Sequence, residues 1–125
     1  MIATETKTND PEQAKLFFEQ KLSFTTGPVE VSRKINEGAE INIVDVRAEK
    51  DYQAGHVPGA VNIPKELWSS QEGLSRDKMN ILYCYTQTCH LAAKAAVEFA
   101  TDGYSVMEME GGFEAWEKNK LEVKT

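Results

Sequence analysis

Apolar positions follow two rhythms along the chain: short β-branched runs, and longer stretches with an apolar residue every third or fourth place. Ile41-Asn42-Ile43-Val44-Asp45-Val46, Ala60-Val61-Asn62-Ile63, Ile81-Leu82-Tyr83 and Tyr104 to Met109 are of the first kind. Nearly continuous runs of this type describe strands buried on both faces, as in a parallel sheet between helices. The second kind predicts helices. Asp10-Pro11-Glu12-Gln13 supplies a capping aspartate and a proline at the first turn, so a helix is expected over residues 11 to 22, with Ala14, Phe17, Phe18 and Leu22 covering core. A short strand at Ser23 to Thr25 would follow.

Gly27-Pro28 opens a second helix through Val29, Val31 and Ile35 that stops at Gly38. Residues 48 to 54 suit a short helix with Tyr52 inward, closed by Gly55. Lys65 to Asp77 is a polar connection holding Leu67, Trp68 and Leu74. After Cys84 and a polar loop, a helix from about His90 carries Leu91, Ala95 and Phe99 on one stripe and Ala92, Ala96 and Ala100 beside it. Asp102-Gly103 ends that helix. Gly111-Gly112 turns the chain into a closing helix, Phe113 to Asn119, with Trp116 on its apolar side. Strands alternating with helices at this spacing argue for α/β architecture with right-handed crossovers.

Length and charge narrow the picture. A chain of 125 residues suits one domain; residues 1–23 are expected to be an extension whose one helix packs on it, and 24–125 the domain itself. Fourteen Lys and Arg against twenty Asp and Glu give a net charge of -6, which disfavours nucleic acid as a partner. The polar start lacks the basic and apolar segments of a secretory signal, and no run approaches membrane-spanning length, so the expected location is the cytoplasm. Two cysteines are too few for a disulfide scaffold and suit a reducing compartment.

Both cysteines, Cys84 and Cys89, lie in Asn80 to Lys94, a strand, a loop and the start of a helix. Cys84 stands at the strand end, where loop amides and a helix start favour an anion. Lowering its pKa from about 8.5 to about 6.5 would be worth roughly 2.7 kcal/mol and make it mostly thiolate at neutral pH. Cys84 therefore reads as a nucleophile in preference to an inert core thiol. Cys89 admits three roles: packing, a resolving thiol that bridges to Cys84, or the nucleophile itself. Tyr85, Thr86, Gln87, Thr88 and His90 complete the loop, as substrate-selecting donors or as solvated surface. A zinc site built from Cys84, Cys89, His90 and the remote His56 has poor spacing, and no metal or cofactor is expected. His56 is assigned to supporting the Gly55 to Gly59 turn, and Asp45 and Arg47, at a strand's carboxyl end, to structural contacts.

Ile43-Val44-Asp45-Val46-Arg47, Asp51 to Pro64 (DYQAGHVPGAVNIP), Leu82-Tyr83-Cys84 and Glu110 to Trp116 (EGGFEAW) together resemble, in order and spacing, the rhodanese-like domain family over roughly residues 24 to 121. The resemblance implies a three-layer α/β/α fold with a five-stranded parallel sheet and a catalytic cysteine in the loop after the fourth strand, matched here by Cys84. That cysteine would take sulfane sulfur from a small-molecule or protein donor, hold it as a persulfide, and pass it to a thiol or other nucleophilic acceptor. The likeness also suggests that Arg47 pairs with an acid on the next helix, Asp51.

The family loop runs Cys-x-x-x-x-Arg-Ser, whereas here Cys89 stands in the arginine's place counting from Cys84. Counted back from the alanine-rich helix, the loop is longer than usual. No residue from 85 to 93 is Arg or Lys, which stands against classical thiosulfate turnover. Two other readings are a non-catalytic binding or thiol redox-sensing module using Cys84 and Cys89 and, weakest, phosphatase or arsenate-reductase chemistry, which normally employs a loop arginine. Donor, acceptor and oligomeric state are not encoded in these patterns.

Overall fold

In a computed structural model the structure describes residues 8–125. Residues 1–7, the start of the expected extension and of the segment lacking a secretory signal, lie outside the described residues. In chain order the elements are α1 (Pro11–Phe24), β1 (Thr25–Thr26), α2 (Pro28–Asn36), β2 (Ile41–Asp45), α3 (Glu49–Ala54) and β3 (Val61–Asn62). A 3₁₀ helix (Lys65–Ser70), β4 (Met79–Tyr83), α4 (Leu91–Thr101), β5 (Val106–Met109) and α5 (Gly112–Lys118) follow. The five strands form one sheet in the order β1-β5-β4-β2-β3, every pair parallel. This is the expected α/β/α arrangement.

Alternation along the central strands sorts side chains to the two faces. Ile43, Ile81, Tyr83 and Met109 pack with Val31 of α2 and with Phe113 and Trp116 of α5. Val44, Leu82, Val46 and Cys84 pack on the other face with Ala92, Ala95 and Phe99 of α4 and with Trp68. The buried stripe of α4 is Ala92, Ala95 and Phe99, while Ala100 is exposed. Small side chains there bring α4 close to the sheet.

Several element boundaries shift from expectation, and two of the shifts have a visible cause. Ser23 and Phe24 continue α1 rather than starting a strand, since β1 forms only where Thr25 reaches its partner Glu108 on β5. Likewise β5 starts at Val106. Tyr104 is used by the cap of α4, where the Gly103 amide donates to Ala100 O and the Tyr104 amide to Phe99 O, with Gly103 left-handed at φ 89. These paired bonds satisfy helix-end carbonyls before the chain can extend.

The expectation that α1 covers core is overturned. Asp10 caps it through Oδ1, 3.0 Å from the Glu12 amide, but the helix buries no residue, and Leu16, Phe17, Phe18, Leu22 and Phe24 are each more than half exposed. Its apolar positions are spread around the axis, so one packed edge cannot hide them. A Lys21–Glu110 ion pair at 3.0 Å ties it to the end of β5.

Asp45 and Arg47 are both buried, and they pair with each other rather than Arg47 with Asp51. The short spacing lets the guanidinium fold back onto its neighbour: Nε lies 3.0 Å from Asp45 Oδ1 and Nη2 2.8 Å from Oδ2. Nη2 also donates to Gly55 O at 2.6 Å, closing the α3 turn, and the Tyr83 hydroxyl donates to Asp45 Oδ2 at 2.7 Å. Removing one partner leaves the other charge buried and unpaired, so Asp45→Ala is expected to cost about 3–5 kcal/mol in denaturant unfolding. Phe18→Ser on the exposed α1 should stay within about 0.5 kcal/mol of the parent in the same measurement.

Candidate active site

The segment Cys84 to His90 joins the carboxyl end of β4 to the start of α4, on the edge where parallel α/β sheets bind ligands. Its first residues are fixed from behind by α5. The Phe113 amide donates to Cys84 O at 2.9 Å and the Glu114 amide to Tyr85 O at 3.0 Å. Gly112 makes this approach possible. A Cβ there would lie 2.7 Å from Tyr85 C and 2.8 Å from both Cys84 O and Thr86 N, and its φ of 63 is left-handed. The Arg47 guanidinium lies 4.2 Å from the Phe113 ring centre, linking the buried ion pair to the same anchor.

Tyr85 turns back from the loop. Its hydroxyl donates to Asp51 Oδ2 at 2.6 Å and accepts from the Ala48 amide at 3.1 Å. Asp51, the acid expected to pair with Arg47, therefore holds the loop's tyrosine instead. Thr86 and the exposed Thr88 approach through their hydroxyls at 3.4 Å, and the Cys89 amide donates to Thr86 O at 3.2 Å, forming a tight turn. Gln87 is exposed at the tip, with Oε1 facing Gly111.

Both cysteines are free thiols; Cys84 is 2% exposed and Cys89 is half-buried nearer the surface. Cys84 Sγ lies 3.5 Å from Cys89 O, which brings the two thiols close enough to influence each other's ionisation. The lowered Cys84 pKa expected from the loop amides is not what this geometry produces. Burial pushes the Cys84 thiol up to about 11, its hydrogen bond with Cys89 adds to this, and the Ala92 and Tyr85 amides only partly oppose them. At Cys89 partial burial works against ionisation too. It is outweighed by the hydrogen bond from Cys84 and by the Tyr85, Leu91 and Thr86 amides, so this thiol is held below its ordinary value. The first proton lost by the pair leaves Cys89, because the anion forms on the sulfur that loses less hydration and gains more donors.

His90 caps α4 from an exposed position. His56 is remote from this cluster in its contacts: it stacks on Tyr52 at 3.8 Å between ring centres, sets Nδ1 2.8 Å from Tyr52 O, and its backbone bridges to Lys124. Its partners are thus the end of α3 and the C-terminal segment. Asp45 and Arg47 act on the loop only through other residues. Contributors that sequence reasoning missed are Tyr83, whose hydroxyl joins Asp45 to the Val57 amide, and Glu108, whose carboxyl is pushed up by burial and then by Glu110, with His90 opposing. Alternation along β4 places Tyr83 opposite Cys84; nothing in sequence spacing connects Glu108 to His90. A cavity of about 420 Å³ opens beside the loop, lined by Arg47, Asp51, Tyr85, Thr86, Phe113 and Glu114 among others, and neither thiol lines it.

A family model described as "Rhodanese-like domain" matches residues 27–119. Among curated proteins the chain is 39% identical over 89 residues to the HTH-type transcriptional regulator Rv0324 of Mycobacterium tuberculosis, covering 70% of this chain and 39% of that one. It is 36% identical over 98 residues to the probable adenylyltransferase/sulfurtransferase MoeZ of the same organism, covering 75% of this chain and 24% of that one. The chain thus spans well under half the length of either relative. Among solved structures, the BH2092 protein of Bacillus halodurans superposes with a TM-score of 0.85 at 36% identity, covering 92% of this chain and 86% of that one.

Two outcomes follow from the geometry. Brief treatment with iodoacetamide near neutral pH, read by peptide mapping, should modify Cys89 first. The reactive thiolate fraction grows as pH rises through each pKa, so Cys84 should become reactive only in strongly alkaline solution. Gly112→Ala forces a Cβ against the loop backbone in a left-handed conformation and should lower unfolding stability by about 2–4 kcal/mol.

Proposed function

The chain belongs to the rhodanese-like domain family, and on that footing we propose that it is a sulfurtransferase or persulfide carrier that moves sulfane sulfur through a persulfide on Cys84. Cys84 directly follows β4, where the resemblance puts the family's cysteine. The observation that carries the reading is the seat of its sulfur, enclosed by the loop with the Tyr85 and Ala92 amides directed at it. Burial shields a reactive persulfide from solvent, and fixed amide dipoles stabilise an anion there without a side-chain cation.

The step needs Cys84 as thiolate. The Tyr85 and Ala92 amides directed at its sulfur offset part of the cost of that charge. The Cys84 thiolate then attacks the outer sulfur of a donor R–S–SH; the new S–S bond forms as the donor's breaks, and R–S⁻ leaves. An acceptor thiolate attacking the outer sulfur of Cys84–S–SH reverses the transfer and returns Cys84. With no Arg or Lys from 85 to 93, a dianionic donor such as thiosulfate gains no ion pair in the loop, so persulfides and polysulfides are the favoured donor class. Two reduced thiols suit the cytoplasm.

A thiol redox-sensing module without turnover is the second reading. It is favoured by two neighbouring free thiols in one loop and by likeness to a domain-length part of a transcriptional regulator. Intact-mass measurement after exposure to thiosulfate, a polysulfide and an alkyl persulfide separates the two. The carrier reading expects Cys89→Ser to gain one sulfur atom from the last two donors and Cys84→Ser to gain none. Absence of any adduct with every donor would leave the sensing module.

A further inference from the structure

The carrier reading accounts for one of the two thiols in the loop and leaves the second with a chemistry of its own. The sulfur that would bear the persulfide lies 3.5 Å from the carbonyl oxygen of Cys89, the two thiols influence each other's ionisation, and no other cysteine exists in the chain. Both ends of the loop are anchored: Cys84 and Tyr85 by the α5 amides, and His90 by the Lys94 amide bonding to its carbonyl at 3.0 Å. Between them the exposed Gln87 and Thr88 leave a short polar span, closed by the Thr86–Cys89 turn. Such a span permits the backbone adjustment by which two neighbouring thiols reach bonding distance.

Resting on the carrier reading, we propose that Cys89 is a resolving thiol that attacks the inner sulfur of the Cys84 persulfide, expelling hydrosulfide and closing a Cys84–Cys89 disulfide. In Cys84–S–SH + Cys89–S⁻ → Cys84–S–S–Cys89 + HS⁻, one S–S bond forms as one breaks. The Cys89 sulfur is oxidised, and the sulfane sulfur leaves as hydrosulfide with the electron pair of the broken bond. An external dithiol restores the loop by two exchange steps, delivering two electrons and two protons and leaving as its own disulfide.

The direction of attack follows from position and leaving group. The inner sulfur is the one held against the Cys89 backbone, and it is fixed just after the end of β4. Attack on the outer sulfur would instead hand the sulfane to Cys89 and expel a Cys84 thiolate into a buried site that resists charge, whereas hydrosulfide is the conjugate base of a stronger acid than an alkyl thiol. The loop thus carries a timer. An acceptor that arrives promptly collects sulfane sulfur; otherwise the site converts it to sulfide and waits for a dithiol. The residue in the family's arginine position thereby replaces donor binding by cargo release.

The test loads the full chain and its Cys89→Ser and Cys89→Ala variants with an alkyl persulfide, removes all small thiols by rapid desalting, and follows intact mass and released sulfide together. The parent is expected to become two hydrogens lighter than its reduced form and to release one equivalent of sulfide. Both variants should keep the added sulfur at least about tenfold longer and release it only when dithiothreitol is added. Equal thermal midpoints would show that the variants are folded. A parent adduct that persists as long as in the variants, or sulfur mapped to Cys89, overturns the resolving role and leaves Cys84 loading intact in the first case. Failure of both folded variants to gain sulfur removes the carrier reading and this inference with it.

Discussion

The buried contact between Asp45 and Arg47 is the constraint on which the loop-bearing edge of this molecule depends. A buried carboxylate is tolerated only if its charge and lone pairs are answered. Here the Arg47 guanidinium, the Arg47 amide and the Tyr83 hydroxyl all converge on it. Each donor commits a different piece of chain: Arg47 reaches on to Gly55 and holds the α3 turn, and Tyr83 is the last residue before Cys84. Asn62 of β3 adds bonds to the carbonyls of Asp45 and Arg47. The carboxyl ends of β2, β3 and β4 are thus locked together at the edge that carries the loop.

From that edge the loop inherits a rigid base and a compliant tip. Its base is held by amides at the start of α5, reached only because Gly112 has no side chain, while the tip consists of exposed Gln87 and Thr88. Electrostatics follow from the same layout. The two neighbouring thiols differ in how readily they ionise: burial raises Cys84, while Cys89, which keeps more solvent and gathers more amides, is lowered. No residue from 85 to 93 is Arg or Lys, so a charge formed in this loop is met by amide dipoles and not by an ion pair within it.

Much of the fold was legible because periodicity reports burial. The β-branched runs at Ile41 to Val46 and Ile81 to Tyr83 became the two central strands, and the alanine-rich stretch after Cys89 became the helix laid on them. Periodicity failed where burial did not follow it. The apolar residues of α1 suggested a covered face, yet their spread around the axis leaves them in solvent. The strand before β1 and the early start of β5 were lost to helix hydrogen bonds, which claim Ser23, Phe24 and Tyr104 first.

At the site the division is equally physical. Sequence by itself determined that Cys84 stands at a strand end, that Cys89 lies one loop away, and that no cation separates them, since these are matters of order and composition. Tertiary structure decided what the thiols are. Ionisation depends on hydration lost and donors gained, and both arise from packing between segments distant in the chain: β4 sinks Cys84 into the core beside α4 while the turn lifts Cys89 toward the surface. The same holds for Arg47, whose partner is the near neighbour Asp45 because Tyr85, arriving from β4, takes Asp51. Spacing ranks possible partners, but only the folded chain shows which of them is already occupied.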